Sequence, residues 1–158
     1  MARILIVGCD ERGRALAREL RDRGHLVRGT ARSEAELGAI EQAGAEAVVA
    51  DPDRLGTVMV QLAGVTLVCW LMGSATEAAS ELHGPRLETL LERLVDTPVR
   101  GVVYEAAGTV EPALLAQGTA AVRAAAERWR MPAEVVEADP ADHASWVAEM
   151  RAAVERLL

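Results

Sequence analysis

Lysine, phenylalanine and asparagine are absent from the 158 residues of this chain. All 17 basic residues are therefore arginine, which excludes any mechanism that needs a catalytic lysine. Only two cysteines occur, Cys9 and Cys69, and they predict neither a disulfide framework nor a metal cluster, but a reducing, cytoplasmic compartment. The three histidines are scattered without ligand spacing, so the sequence predicts no metal site.

Long apolar runs and basic runs are also missing. No segment approaches the roughly 18 apolar residues of a membrane span, and the short apolar stretch that ends at Gly8 predicts a first strand, not a signal peptide. The net charge is −7, without a basic cluster. This charge argues against nucleic acid and anionic membranes as partners.

Apolar runs of strand length alternate with helical patterns along the whole chain, which predicts a single domain over 1–158. This alternation is typical of an α/β fold with a doubly wound, six-stranded parallel sheet and helices on both faces. We expect the strand order 3-2-1-4-5-6. The predicted strands are 4–7, 26–31, 47–50, 65–72, 99–104 and 135–136.

Local signals predict where several helices begin. Ser33 and Glu36 have the spacing of a capping box, and Asp53 is a candidate N-cap. Pro85 suits a first helical turn, and Asp139 followed by Pro140 predicts the start of the last helix. Residues 74–84 have no clear period and predict a loop at the carboxyl end of the sheet.

The loop after the first strand lies at the expected switch point between the first and fourth strands, where ligands of this architecture bind. Its sequence, Gly8-Cys9-Asp10-Glu11-Arg12-Gly13, matches the first and third glycines of the dinucleotide fingerprint G-x-G-x-x-G, and Asp10 replaces the second. Gly73, which ends the fourth strand, faces the same point.

Asp10 allows two interpretations. The helix amino terminus could still attract a phosphate group, with Arg12 adding positive charge. Alternatively, the Asp10 carboxylate caps the helix itself and takes the place of a phosphate.

Four segments together resemble the atypical or extended short-chain dehydrogenase/reductase family, over about two thirds of the chain: residues 4–8, 27–33, 44–51 and 99–104. The resemblance implies that Arg32, just after the second strand, contacts the 2′-phosphate of NADP. A guanidinium suits that phosphate, although Arg32 could also be a solvated surface residue. The resemblance likewise places Asp51 beside the adenine, unless it is a turn acid before Pro52.

The catalytic residues of that family have no counterpart here. The family uses a tyrosine and a lysine four residues apart, whereas this chain has no lysine and its one tyrosine, Tyr104, lies in the fifth strand. We also expect the family's carboxyl-terminal substrate domain to be absent. We therefore expect no catalytic residues and an NADP-binding or sensing role. Alternatives are a cofactor-free structural or interaction protein and an unconventional NADPH-dependent reductase assisted by Glu105 or His83.

Several other side chains are predicted to be structural. Cys9 is expected to pack beneath the turn, although a helix amino terminus can also make a thiol reactive. His83 is expected to be solvated, and Glu105 to line a polar crevice. Trp129 and Trp146 are predicted packing residues at the interface of a homo-oligomer, most simply a dimer.

Overall fold

The computed structural model describes residues 2–158 and contains one six-stranded parallel sheet with the order β3-β2-β1-β4-β5-β6. The fold class and strand order predicted from the sequence are confirmed. The strands are β1 (Arg3–Val7), β2 (Leu26–Ala31), β3 (Glu46–Val49), β4 (Leu67–Trp70), β5 (Gly101–Glu105) and β6 (Ala133–Val136). The helices are α1 (Glu11–Asp22), α2 (Leu37–Gln42), α3 (Leu55–Met59), α4 (Ala79–Leu82), α5 (Pro85–Leu94), α6 (Pro112–Trp129) and α7 (His143–Leu157).

Strand β1 lies at the centre, hydrogen-bonded to β2 on one side and to β4 on the other. From β1 the chain proceeds outward through β2 and β3, and it then returns to the other side of β1 with β4. The loops after β1 and β4 therefore leave the sheet in opposite directions and open a crevice at its carboxyl end.

The core lies in two layers because successive side chains of a strand point to opposite faces. Leu5 and Val7 of β1 belong to a buried cluster with residues of α3, α5 and α6, whereas Ile4 and Ile6 belong to a second cluster with residues of α1, α2 and α7. All four side chains are fully buried. Strand β1 is thus covered on both faces, as expected for a parallel sheet.

The structure corrects several predicted helix starts. Ser33 makes no side-chain capping bond, and a 3₁₀ turn at Glu34–Glu36 precedes α2. Arg54, not Asp53, is the N-cap of α3. The predicted loop 74–84 contains the short helix α4, and α7 begins at His143 with Asp142 as its cap, not at Asp139. At each of these positions, side chain-to-backbone hydrogen bonds compete with the first turn of the helix, and composition alone does not predict which of the two forms.

Two further features concern membranes and subunit contacts. No helix within residues 2–158 combines the length and apolarity needed to cross a membrane. Trp146 is completely buried inside the monomer, so its predicted place at a subunit interface is wrong.

Candidate functional site

A cleft with a volume of about 340 Å³ opens at the carboxyl ends of β1, β2, β3 and β4. It lies at the predicted switch point. Of the predicted site residues, Gly8, Asp10, Arg12 and Arg32 line it. The other three, Gly13, Asp51 and Gly73, lie outside its lining.

The turn after β1 requires glycine at position 8 and is tightly packed around Gly13. Gly8 has a φ of +84°, and a Cβ there would lie 2.7 Å from the Leu71 carbonyl oxygen and overlap the Met72 side chain. A Cβ on Gly13 would lie 3.2 Å from the Gly8 carbonyl oxygen and 3.3 Å from Ile6 Cγ2. Gly8 thus permits the turn, and Gly13 permits α1 to approach the sheet closely.

Cys9 is held beneath this turn. A Cβ on Gly29 would lie 2.7 Å from Cys9 Sγ, so the thiol fills the space above that glycine. Burial, reinforced by the nearby Asp10 carboxylate, raises the pKa of Cys9 to about 12. The cysteine is therefore a protonated packing residue and not the reactive thiol that a helix amino terminus can produce.

Asp10 caps helix α1. Its Oδ1 accepts the backbone N–H groups of Arg12 and Gly13, each at 3.1 Å. The chain's own carboxylate therefore occupies two of the donors that a helix amino terminus would otherwise offer to an anion. The Asp10 side chain is 55% exposed, so its charge also faces the solvent at the cleft.

Arg32 lies at the opposite side of the cleft between two acids. Its Nη1 donates to Glu77 Oε2 at 3.1 Å, and its Nε lies 3.7 Å from Asp51 Oδ1. All three side chains are at least 36% exposed, so solvent screens these pairs and they are weak. An anionic ligand could exchange with Glu77 for the guanidinium at little cost.

Three charged residues near this cleft were not predicted from the sequence. Arg14 and Glu36 line it, and Glu77 contacts Arg32. Arg14 takes part in none of the ion pairs formed among residues 2–158. The position of Arg14 four residues after Asp10, on the first turn of α1, was the available signal.

A buried polar cluster adjoins the cleft. Glu105 at the end of β5 accepts the Gly73 N–H at 2.8 Å, the Trp146 Nε1–H at 2.9 Å and Arg12 Nη2 at 3.3 Å. Arg12 also lies over the Trp146 ring, with Cζ 5.5 Å from the ring centroid. Because Glu105 is completely buried, its predicted place in a polar crevice is wrong.

Burial raises the pKa of Glu105, and the Arg12 guanidinium and the Gly73 N–H oppose that rise. Three donors converge on the two carboxylate oxygens, which satisfies a group that would otherwise be costly to bury. Glu105 therefore joins α1, β5 and α7 at one point.

His83 is also buried, and the expectation that it is solvated is wrong. Its Nε2 lies 2.7 Å from the Met72 carbonyl oxygen, which can only accept, so Nε2 carries the proton. Its Nδ1 therefore accepts the Tyr104 hydroxyl at 2.6 Å. Burial lowers the pKa of His83 and raises that of Tyr104, which keeps both groups neutral.

Candidate metal ligands do not cluster in the part of the chain that the structure describes. Within residues 2–158, no group of three or more His, Cys, Asp or Glu side chains is arranged to hold a metal ion.

Solved structures share this fold. A putative NAD-dependent epimerase/dehydratase from Bacillus halodurans superposes with a TM-score of 0.67 at 20% identity, over 88% of this chain and 71% of that one. The Citrobacter sp. triphenylmethane reductase, solved with NADP(H), gives 0.63 at 16% identity, over 84% of this chain and 48% of the reductase. BdcA (YjgI) from E. coli superposes with a TM-score of 0.68 at 17% identity, over 97% of this chain and 93% of BdcA.

This chain thus spans about half the length of the triphenylmethane reductase, but nearly all of BdcA. No protein-family model and no curated protein matches it. At these identities the similarity establishes the Rossmann-like fold alone.

Proposed function

We propose that this protein binds an adenine nucleotide of the NADP type in the cleft and acts by binding or sensing, without hydride transfer through a tyrosine–lysine pair. The observation that carries this proposal is the cleft itself, which opens at the β1/β4 switch point beside the Gly8 turn. Two structural neighbours, one described as NAD-dependent and one solved with NADP(H), support a nucleotide of this class.

The residues around the cleft fit the phosphorylated adenosine portion of such a ligand. Arg32 is the candidate for the 2′-phosphate, and Asp51, which pairs with Arg32, is the candidate neighbour of the adenine. Near α1, Arg14 has no acidic partner within residues 2–158, and the buried Arg12 Nε has no hydrogen-bond partner there. These two cations are the candidates for the phosphates linked to the ribose.

Bound NADPH would supply a hydride, but the surrounding side chains do not support the usual proton transfer. Tyr104 is buried, and its hydroxyl donates to a neutral histidine. Its pKa is raised by burial and by the neighbouring Glu105, whereas a catalytic tyrosine needs a cation that lowers it. Binding without this chemistry is therefore the function we propose.

The cap formed by Asp10 favours a second candidate, a cofactor-free structural or interaction protein. The carboxylate already takes the Arg12 and Gly13 N–H groups, and it would repel a pyrophosphate. The two candidates differ in one measurable property, which is nucleotide affinity.

Titration calorimetry with NADPH and NADH, on wild type, Asp10→Gly and Arg32→Ala, tests the proposal. We expect wild type to prefer NADPH, and Asp10→Gly to bind both nucleotides about tenfold more tightly, a change of about 1.4 kcal/mol. Arg32→Ala should lose the preference for NADPH and keep its affinity for NADH. If neither wild type nor Asp10→Gly binds a nucleotide at millimolar concentration, the cofactor-free function replaces this one.

A further inference from the structure

The cleft covers only one half of the crevice in which a dinucleotide binds. A doubly wound sheet consists of two mononucleotide-binding halves, and a dinucleotide lies across both. Every lining residue lies in or after one of the first four strands, from Gly8 to Thr76, and none comes from β5 or beyond. Of the half that would hold the second nucleotide, which is β4–β6, only the segment just after β4 lines the cleft, and the loops after β5 and β6 contribute nothing to it.

The loops after β4 and β5 close that second half by backbone contact. A Cβ on Gly73 would overlap the Ala107 carbonyl oxygen, and a Cβ on Gly108 would overlap the Gly73 carbonyl oxygen. The Val110 N–H donates to that same Gly73 oxygen at 3.0 Å. Two main chains so close together leave no room for a ribose or a ring between them.

The Glu105 cluster closes the remaining side. Arg12 extends from α1 to Glu105 on β5, and Trp146 of α7 lies against both of them. Glu105 and Trp146 are completely buried, and the Arg12 side chain is only 19% exposed. This cluster fills the space between the first turn of α1 and the end of β5.

A separate surface depression lies on the far side of these contacts. It is lined by residues of α6 and by residues just after β5 and β6, including Ala106, Leu115 and Glu137. It shares no lining residue with the cleft. A dinucleotide would have to pass through the Gly73–Ala107 contact or through the Arg12–Glu105 pair to occupy both.

We propose that the protein recognises only the phosphorylated adenosine half of the nucleotide, and that the Arg12–Glu105–Trp146 cluster with the Gly73–Ala107 contact excludes the nicotinamide half. This inference rests on the function proposed above. The ligand chemistry is an adenosine bearing phosphates, either as a free mononucleotide or as the bound end of NADP with its nicotinamide end in solvent. It also accounts for the lack of a supported hydride-transfer site.

Saturation-transfer NMR on the wild-type protein with NADP⁺ tests this exclusion. We expect strong saturation of the adenine protons and background saturation of the nicotinamide protons. Calorimetry should give adenosine 2′,5′-bisphosphate and NADP⁺ the same dissociation constant within about threefold. Equal saturation of both rings, or NADP⁺ binding about tenfold or more tighter than the bisphosphate, would overturn the inference and leave the proposed nucleotide binding intact.

A matched pair of variants tests the part of Arg12. Arg12→Ala removes a phosphate contact and also opens the barrier, so both ligands should weaken while NADP⁺ gains about fivefold or more relative to the bisphosphate. Arg14→Ala removes a cation of the same helix that has no link to Glu105, so both ligands should weaken with an unchanged ratio. If Arg12→Ala leaves the ratio of the two dissociation constants unchanged, Arg12 is not part of a barrier against the nicotinamide half. Absence of binding by either ligand at millimolar concentration would overturn this inference and the proposed function together.

Discussion

At the scale of single residues, the hydrogen-bonded pair of His83 and Tyr104 contributes to the pH dependence of stability. The histidine is neutral, because its Nδ1 accepts the tyrosine hydroxyl and burial lowers its pKa from 6.5. Protonation would make Nδ1 a donor, so the Tyr104 hydroxyl would have to accept from it and donate only to the more distant Leu115 carbonyl oxygen, 3.5 Å away. Acid therefore favours the unfolded chain, in which the ring protonates at its ordinary pKa.

This linkage predicts the sign of the pH dependence. The unfolded state binds a proton near pH 6.5 and the folded state only at lower pH, so the free energy of unfolding should fall as the pH drops through 6.5. The slope contributed by His83 is at most about 1.4 kcal/mol per pH unit, the limit for one proton. Glu105, whose pKa is raised from 4.5, contributes with the opposite sign just above that value.

Chemical denaturation of wild type, His83→Gln and the exposed control His143→Gln isolates the His83 contribution. We expect only His83→Gln to lose the slope near pH 6.5. An NMR titration of the folded wild type should place the midpoint of the His83 ring below 6.5. A midpoint at or above that value contradicts the buried neutral pair.

The two cysteines predict a second residue-scale result. Burial raises the pKa of both Cys9 and Cys69 to about 12, so both remain protonated and inaccessible at neutral pH. A thiol-specific chromogenic reagent should find no reactive thiol in the native protein and two after denaturation. Rapid modification of Cys9 in the native state would instead make it a reactive thiol at the helix start.

At the scale of elements, the glycine in the middle of α6 determines how closely that helix approaches the sheet. A Cβ on Gly118 would overlap the Tyr104 hydroxyl, so α6 lies directly on the Tyr104 ring of β5. Gly38 in α2 has open space beside its Cα, and a Cβ there would meet no atom within 4 Å. A side chain added at Gly118 would therefore meet the sheet, whereas one added at Gly38 would meet nothing.

Alanine at these two positions should change stability in opposite directions. Gly118→Ala overpacks the interface between α6 and β5 and should lower the free energy of unfolding by about 1–3 kcal/mol, in spite of the better helix propensity of alanine. Gly38→Ala meets no obstacle and should raise it by about 0.5–1 kcal/mol. Urea denaturation measures both, and a stabilising Gly118→Ala would contradict the close approach.

Sequence patterns predicted the elements well where the signal was local. The turn at Gly8 and Gly13 and the strand order followed from short motifs and from the alternation of apolar runs. The Glu105 cluster could not be predicted in this way, because Arg12 and Glu105 are 93 residues apart and Glu105 and Trp146 are 41 apart. Only the packing of α1 and α7 on one face of the sheet brings them together.

At the scale of the whole molecule, self-association stays a prediction. Trp146 is buried and cannot form an interface, whereas Trp129 at the end of α6 is partly exposed beside the alanine-rich face of that helix. We expect sedimentation at micromolar concentration to show a species heavier than the 16.8 kDa monomer. A monomer over the whole accessible concentration range would contradict this prediction.

The ligand proposed for the cleft at the carboxyl ends of β1 to β4 is a phosphorylated adenosine. The most direct test is a titration of ¹⁵N-labelled protein with adenosine 2′,5′-bisphosphate, followed by amide chemical shifts. Saturable shifts should concentrate at Gly8, Asp10, Arg32 and Ser74, which line the cleft, and should leave Thr119 of the separate depression unchanged. An absence of shifts at millimolar ligand, or shifts confined to residues outside the cleft, would contradict binding of a phosphorylated adenosine in the cleft.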